Sequence, residues 1–403
     1  MLEAYIYDGV RSPFGRQAGG LARLRPDDLL AQIMQSLMRR SEFKASQFED
    51  VIVGCANQAG EDSRCVARHA ALQAGLPINL GGTVIQRNCG SGLGAVVSAA
   101  HAITAGEGDL FIAGGVESMS RAPFVLGKAE AAFAREIKIF DSAVGSRFPN
   151  RAIERQFGAD TMPQTADNLA KEHQLSRDEV DQFALRSQQR YAAAKVAGFF
   201  EDEIAPVRVA ALKKGAHDTI VIEDEFPRSD ASLEALSGLR AIHEGGVTTA
   251  GNSSGINDGA VALTVGSRQA GKNAGKAPLA RILSAASVGV EPRVMGIGPV
   301  PAIRKALKRA DISLSQIDVL EINEAFSAQV LACLKQLGVQ NNDDRVNPNG
   351  GAIALGHPLG ASGPRLVLTA IRELQRRNAR CAVVSMCVGM GQGIAMVLER
   401  SND

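Results

Sequence analysis

Two cysteines and one histidine stand in settings that could supply a nucleophile and a base. Cys89 lies in Thr83-Val-Ile-Gln-Arg-Asn-Cys-Gly-Ser-Gly-Leu-Gly-Ala-Val-Val97, a strand-like run followed by a tight turn and a small-residue apolar helix. A cysteine at a helix N-terminus faces unpaired N–H groups and the positive end of the dipole. Its thiol is therefore expected below the usual value of about 8.5. His357 sits in Asn347-Pro-Asn-Gly-Gly-Ala-Ile-Ala-Leu-Gly-His-Pro-Leu-Gly-Ala-Ser-Gly363. Glycines there let the backbone approach a ligand, and Pro348 and Pro358 fix φ, so the loop should present one held imidazole. Cys387 belongs to Cys381-Ala-Val-Val-Ser-Met-Cys-Val-Gly-Met-Gly-Gln-Gly393. That segment reads as strand and glycine-rich turn, with the cysteine beside backbone donors.

Other candidates are weaker. Cys55, Cys65, Cys333 and Cys381 fit element interiors, and a free cysteine is often a small buried hydrophobe. His69, His101, His173, His217 and His243 lack a comparable loop. Cys55, Cys65 and His69 have irregular spacing and no fourth ligand, so no metal site is expected. Gly251-Asn-Ser-Ser-Gly255 has the wording of a hydrolase nucleophile elbow, but it leads into the Ala260-Val-Ala-Leu-Thr-Val265 strand instead of a helix. Glycines 90, 92 and 94 lack the spacing of a dinucleotide fingerprint.

The elements that must position these groups come in two similar sets. Asp50-Val-Ile-Val-Gly-Cys55 reads as a strand, the Cys89 helix follows, and Asp109-Leu-Phe-Ile-Ala113 opens another strand. In the second set Ile317–Asn323 is strand-like, Glu324–Leu337 is an apolar helix, and the strand at Cys381 closes as a hairpin around Gly389, Gly391 and Gly393. The strand at Asp109 finds its partner only at Asp258–Val265, so roughly 140 residues form an excursion far longer than an ordinary loop. Ser176 and Glu179 predict a capping box on an amphipathic helix inside it. Strands alternating with helices indicate an α/β fold. A helix apolar on every side, such as Leu93–Ile103, belongs between two sheets.

Composition narrows the classes further. A net charge of +1 argues against nucleic acid or an anionic membrane as the main partner. No apolar run reaches the roughly 18 residues of a membrane span, and no signal-like head is present, so a cytoplasmic protein is expected. Six cysteines in 403 residues are too few for a disulfide scaffold.

With Asn88-Cys89-Gly-Ser-Gly, Asn323-Glu-Ala-Phe326, Gly356-His-Pro358 and Cys387-Val-Gly389 in this order, the chain resembles the thiolases along its full length. Gly114-Gly-Val-Glu-Ser-Met-Ser-Arg-Ala-Pro123, Thr249–Gly259 and Met295–Ala302 add to the resemblance. It implies duplicated mixed-sheet halves in a five-layered α-β-α-β-α arrangement with an inserted loop domain. The implied divisions are 1–120 plus 250–270, a CoA-binding loop domain at 121–249, and 271–403.

The same resemblance implies that Cys89 attacks the 3-keto carbonyl of a 3-oxoacyl-CoA, that His357 takes its proton, and that Cys387 protonates the departing enolate. One oxyanion hole would use His357 and a water held by Asn323, and the other the N–H groups of Cys89 and Gly389. CoA is implied as co-substrate, with no permanently bound cofactor, against Met162, Arg228, Ala250, Ser254, Ala325 and Phe326. The segments at Gly54–Arg64, Ser120–Glu130 and Thr161–Asp167 look most like thiolases that cleave 3-oxoadipyl-CoA in aromatic catabolism. A general 3-ketoacyl-CoA or acetoacetyl-CoA thiolase is the near alternative, and a non-catalytic acyl-CoA-binding protein the distant one. A homotetramer is implied as well. The chain departs from the family pattern at Asn88, where leucine is usual, at Ser253, where alanine is common, and at His243, where a bulky aromatic is frequent. A distal carboxylate would call for Arg or Lys, and Arg87, Arg121, Lys128 and Arg147 lie near plausible loops.

Overall fold

Strands that are apolar along their whole length need cover on both faces. In the computed structural model, which describes residues 2–213 and 215–401, every residue of Leu110–Ser118 and of Asn257–Gly266 is buried. The principal elements of the first half are β1 (Ala4–Arg11), α1 (Pro26–Arg39), β2 (Asp50–Gly54), α2 (Val66–Gln73), β3 (Thr83–Ile85), α3 (Ser91–Ala105) and β4 (Leu110–Ser118). Then come β5 (Phe124–Leu126), β6 (Ile139–Asp141), α4 (Met162–His173) and α5 (Arg177–Val196), before β7 (Asn257–Gly266). The second half runs β8 (Ala280–Gly289), α6 (Pro299–Ala310), β9 (Val319–Ile322), α7 (Ser327–Leu337), α8 (Leu359–Arg377), β10 (Cys381–Val388) and β11 (Gln392–Arg400).

The strands follow the order β9-β10-β11-β8-β1-β7-β4-β2-β3. β4 and β7 pair antiparallel from Ser118–Asp258 to Leu110–Gly266. β10 and β11 pair in the same sense from Cys381–Glu399 to Val388–Gln392. In each half the next strand outward is parallel, β2 on β4 and β9 on β10. The first half continues to β3, and the second keeps only a parallel bridge between Leu320 and Val346 in the matching place. The halves join where β1 meets β8, Ala4 opposite Ile282 and Ile6 opposite Ala280.

Three apolar clusters separate the layers. α1 and α2 cover one face of the first sheet, and α6 and α7 cover one face of the second. α3 and α8 lie between the sheets, in the cluster that takes residues from both. The order is thus helix, sheet, helix, sheet, helix; α3 is apolar on most sides, whereas α8 buries Arg365 and Glu373 and exposes a polar C-terminal end.

Close approach of the central helices depends on two glycines. A Cβ on Gly92 of α3 would stand 2.0 Å from the Gly360 carbonyl oxygen, and one on Gly363 of α8 would stand 2.3 Å from the Leu93 nitrogen. Pro364, inside α8, donates no N–H to its own helix, so the Gly360 carbonyl loses its helical partner and turns toward α3. The N-terminal ends of α3 and α8 are therefore side by side.

The segment between β4 and β7 is tied to the first strand by buried charge. Arg11 donates through Nε to Glu203 at 2.5 Å and through both terminal nitrogens to Asp224 at 2.7 and 2.9 Å. Asp224 also accepts from the Phe14 N–H and the Tyr191 hydroxyl. Ser176 and Glu179 form the expected capping box on α5.

Candidate active site

Cys89 occupies the turn into α3. Ser91 winds that turn, its hydroxyl donating to the Asn88 carbonyl at 2.6 Å and accepting from the Arg87 N–H. The helix itself begins at Ser91, with Gly90 at its cap. The thiol is not lowered as the sequence suggested: burial pushes it up to about 11, against the help of two backbone N–H groups. Those groups are the N–H of Gly389 and the N–H of Cys89 itself. Desolvation of the thiolate outweighs the helix terminus, since the half-buried Cys89 packs against the central apolar cluster.

His357 precedes α8 as Cys89 precedes α3. Its N–H donates to Asn257 Oδ1 at 3.0 Å, and Asn257 in turn donates to the Gly15 carbonyl. Gly356, at φ +103°, is required here, since a Cβ would strike the Asn257 side chain at 2.4 Å. The imidazole is buried, with Nδ1 2.6 Å from Ser362 Oγ and Nε2 3.3 Å from Asn323 Nδ2. Ser362 spends its own hydrogen on the Pro358 carbonyl at 3.0 Å. Its oxygen must then accept from Nδ1–H, which leaves Nε2 unprotonated, accepting from Asn323 Nδ2 and able to take a proton. Burial, and then the nearby Arg365 guanidinium, lower the imidazole to about 3, so it rests neutral.

Asn323 follows β9, with its N–H on the Ser385 carbonyl of β10. Among the described residues its buried Oδ1 has no hydrogen-bond partner. A carboxamide oxygen held beside an imidazole suits a bound water, which would complete the donor pair. Neighbouring Glu324 accepts from Ser187, Asn347 and the Ile353 N–H, fixing the approach to the His357 loop. Glu117, buried in β4, accepts from the N–H groups of Ala56, Asn57 and Gly360, which ties the start of α8 to the first half. Burial raises its carboxyl to about 7.

Cys387 lies near the end of β10, buried, with its thiol well above the ordinary value through burial and the neighbouring Cys89. Cys387 stands two residues before Gly389, whose carbonyl Asn88 holds, so the two cysteines belong to turns that meet although 298 positions separate them in sequence. Cys387 packs with Ala166, Met295, Ala325 and Phe326 in a small apolar cluster.

The chemistry readable from this arrangement is a thiol with N–H donors around it, a neutral base, a second thiol and an amide with a free oxygen. The family model described as the thiolase N-terminal domain matches residues 4–269, and that of the thiolase C-terminal domain matches residues 276–400. This chain belongs to the thiolase family. It is 55% identical to the 3-oxoadipyl-CoA/3-oxo-5,6-dehydrosuberyl-CoA thiolase of Escherichia coli, over 99% of this chain and 100% of that one. It is 52% identical to a beta-ketoadipyl-CoA thiolase of Acinetobacter baylyi over the same shares. Among solved structures, the Bacillus anthracis acetyl-CoA acetyltransferase is similar at TM-score 0.92 and 38% identity, covering 100% of this chain and 99% of that one. Human mitochondrial 3-ketoacyl-CoA thiolase in complex with CoA is similar at TM-score 0.90 and 37% identity, covering 99% and 98%. The protein is thus an acyl-transferring enzyme with the thiolase fold.

Within this thiolase the residues expected to meet CoA separate into two groups. Met162, Ala325, Phe326 and Ser254 gather near Cys387 and Gly389: Met162 Sδ would be 3.9 Å from a Cβ on Gly389, Ser253 bridges to Phe326, and the Ser254 N–H donates to the Ala325 carbonyl. Ala250 and Arg228 are exposed on loops, with the Arg228 N–H on Gln188. The sequence reading passed over Ser362, Asn257 and Glu117. Ser362 stands five residues after His357 at the start of a helix, a spacing that could have signalled it. Asn257 and Glu117 act across strands and carry no local signal. Cys55 is buried directly after β2, whereas Cys65 stands at the head of α2 with φ +70° and only partial burial, unlike the interior position expected.

Proposed function

We propose that this thiolase is degradative and cleaves 3-oxoadipyl-CoA with CoA to give succinyl-CoA and acetyl-CoA. Cys89 loses its proton to His357 Nε2 and attacks the 3-keto carbon, and the oxyanion forms between the N–H groups of Cys89 and Gly389. The Cα–Cβ bond then breaks, its electron pair passes to the acetyl-CoA enolate held by His357 and the Asn323-bound water, and Cys387 supplies the proton. Cys387, left as a thiolate, takes the proton of the CoA thiol; the CoA thiolate attacks the succinyl-Cys89 thioester, and the departing Cys89 regains its proton from His357. The observation that carries this reading is the hydrogen bond from Asn88 Nδ2 to the Gly389 carbonyl at 3.1 Å, because it brings the turn of one half onto the nucleophile turn of the other.

The acyl preference is supported by the names of relatives at 52–55% identity over the full chain. The arginine that would read the distal carboxylate is not Arg121, which is engaged through two nitrogens by Glu61. CoA is proposed to enter along Met162, Ser254, Ala325 and Phe326, with Arg228 and Ala250 farther out. Residues 121–249 are read as the loop domain that carries one wall of this path. Residues 1–120 with 250–270, and 271–403, are read as the two halves, and their terminal residues 1, 402 and 403 lie outside the described residues.

The test is Cys89→Ala with thiolysis followed by CoA-ester release. Activity is expected to vanish, and near-normal turnover would remove the mechanism. Comparing kcat/KM for 3-oxoadipyl-CoA with that for uncharged 3-oxoacyl-CoAs tests the substrate, and a preference for the uncharged esters would make this a general 3-ketoacyl-CoA thiolase.

A further inference from the structure

The two N–H groups proposed to hold the oxyanion belong to different halves of the molecule. Cys89 is on the turn before α3, and Gly389 is on the turn between β10 and β11. No covalent constraint sets the distance between them, and Gly389 has no side chain to limit its own rotation. A donor that drifts by an ångström loses much of its catalytic value.

Asn88 spans this gap. Its Nδ2 donates to the Gly389 carbonyl at 3.1 Å, and its Oδ1 accepts from Gln86 Nε2 at 3.1 Å. Both ends of the carboxamide are thus in use, which fixes which end faces Gly389. The backbone of Asn88 is left-handed, at φ +44°, a conformation asparagine tolerates far better than leucine. Its carbonyl is held by Ser91 from two atoms, so the residue is fixed on the Cys89 side as well. Arg87 adds a second tie one residue earlier, from Nη1 to Gln392 Oε1 at 3.1 Å. On the other side Met390 and Gly391 are both left-handed, which makes the hairpin tip a tight turn that can be held from one point.

We infer that Asn88 is a positioning residue that sets the width of the oxyanion hole by tying the Gly389 turn to the nucleophile turn. Holding the Gly389 carbonyl restricts rotation about that residue's Cα and so fixes the direction of its N–H beside Cys89, where the oxyanion is proposed to form. This rests on the Cys89 acyl-enzyme reading above. The clamp bears on steps that pass through the tetrahedral adduct at Cys89. It leaves the enolate site, built from His357, Asn323 and Cys387, unaffected.

The experiment uses the full chain with Asn88→Gly, which keeps the left-handed backbone, and Asn88→Asp, which keeps the shape but cannot donate. Exchange of labelled CoA into acetyl-CoA measures acyl transfer, and deuterium uptake at the acetyl methyl measures enolate formation. Both variants are expected to slow CoA exchange by about 10- to 100-fold while deuterium uptake stays within about twofold. Their thermal midpoints should match the parent enzyme. Wild-type CoA exchange in either variant would overturn the clamp, as would a parallel fall in both exchanges with a lowered midpoint. Mass spectrometry of the parent enzyme with acyl-CoA keeps the two readings apart: absence of an adduct on Cys89 there would remove the acyl-enzyme itself.

Discussion

At the scale of single residues the site rests in an uncharged state. The Cys89 thiol lies high, at about 11, and the His357 imidazole low, at about 3, so thiol and neutral base face the substrate instead of a thiolate–imidazolium pair. Because a raised thiol is protonated throughout the neutral range, alkylation of Cys89 by iodoacetamide should keep rising through pH 9. A plateau near pH 7 would show a lowered thiol after all. For the same reason activity should show no acid limb near the ordinary imidazole value of about 6.5, since His357 stays neutral well below it. Ser362 is what makes that neutral imidazole useful. In Ser362→Ala the buried Nδ1–H loses its acceptor and Nε2 its assured lone pair, so kcat should fall by about 10- to 100-fold. An unchanged kcat would mean that Ser362 does not set the tautomer.

At the scale of elements, the meeting of α3 and α8 decides whether Cys89 and His357 share a site. Gly92→Ala would drive a Cβ into the Gly360 carbonyl, a backbone atom that cannot step aside. The variant should lose about 3 kcal/mol or more, and activity with it. Gly94→Ala on the same helix meets only Ile85 Cγ2 at 3.2 Å, the end of a half-buried side chain, and gains helix propensity. It should stay within about 1 kcal/mol of the parent. Equal unfolding midpoints for the two variants, measured in denaturant, would contradict the packing argument. The doubled arrangement was legible at this scale, because each half repeats strand, helix and an antiparallel strand pair, closed as a hairpin in the second half and interrupted by the long excursion in the first. The joint between the halves was not, because β1 and β8 pair over only three positions whose residues have no distinctive wording.

At the scale of the whole molecule, the β5–β6 hairpin stands out as an apolar surface on a charged exterior. Phe124, Leu126, Phe133, Ile137 and Ile139 are all more than 60% exposed there. Large apolar side chains this exposed on one hairpin and its loop are of the kind that marks contact with another chain. We propose that copies of this thiolase meet there in the homotetramer that the family resemblance implies. Phe133→Asp, placed on that patch, is expected to lower the assembly state seen by light scattering and to leave the monomer's fold intact by circular dichroism. An unchanged mass would remove the hairpin from the assembly surface.

The sequence alone determined what local physics determines. The capping box at Ser176, the strand into which Gly255 leads, the helix buried on every side and the hairpin at Gly389 all follow from residue periodicity and turn chemistry within short windows. Joint occurrence of the Cys89, Asn323, His357 and Cys387 motifs placed the chain in its family. Tertiary structure alone decided the ionisation state of Cys89, because the helix-terminus argument counts nearby donors but not the water removed around the sulfur. It also decided the roles of Asn257, Glu117 and Asn88. Their hydrogen bonds to His357, Gly360 and Gly389 span 100, 243 and 301 positions along the chain. A contact of that separation depends on how two halves pack, and no spacing within a motif encodes it.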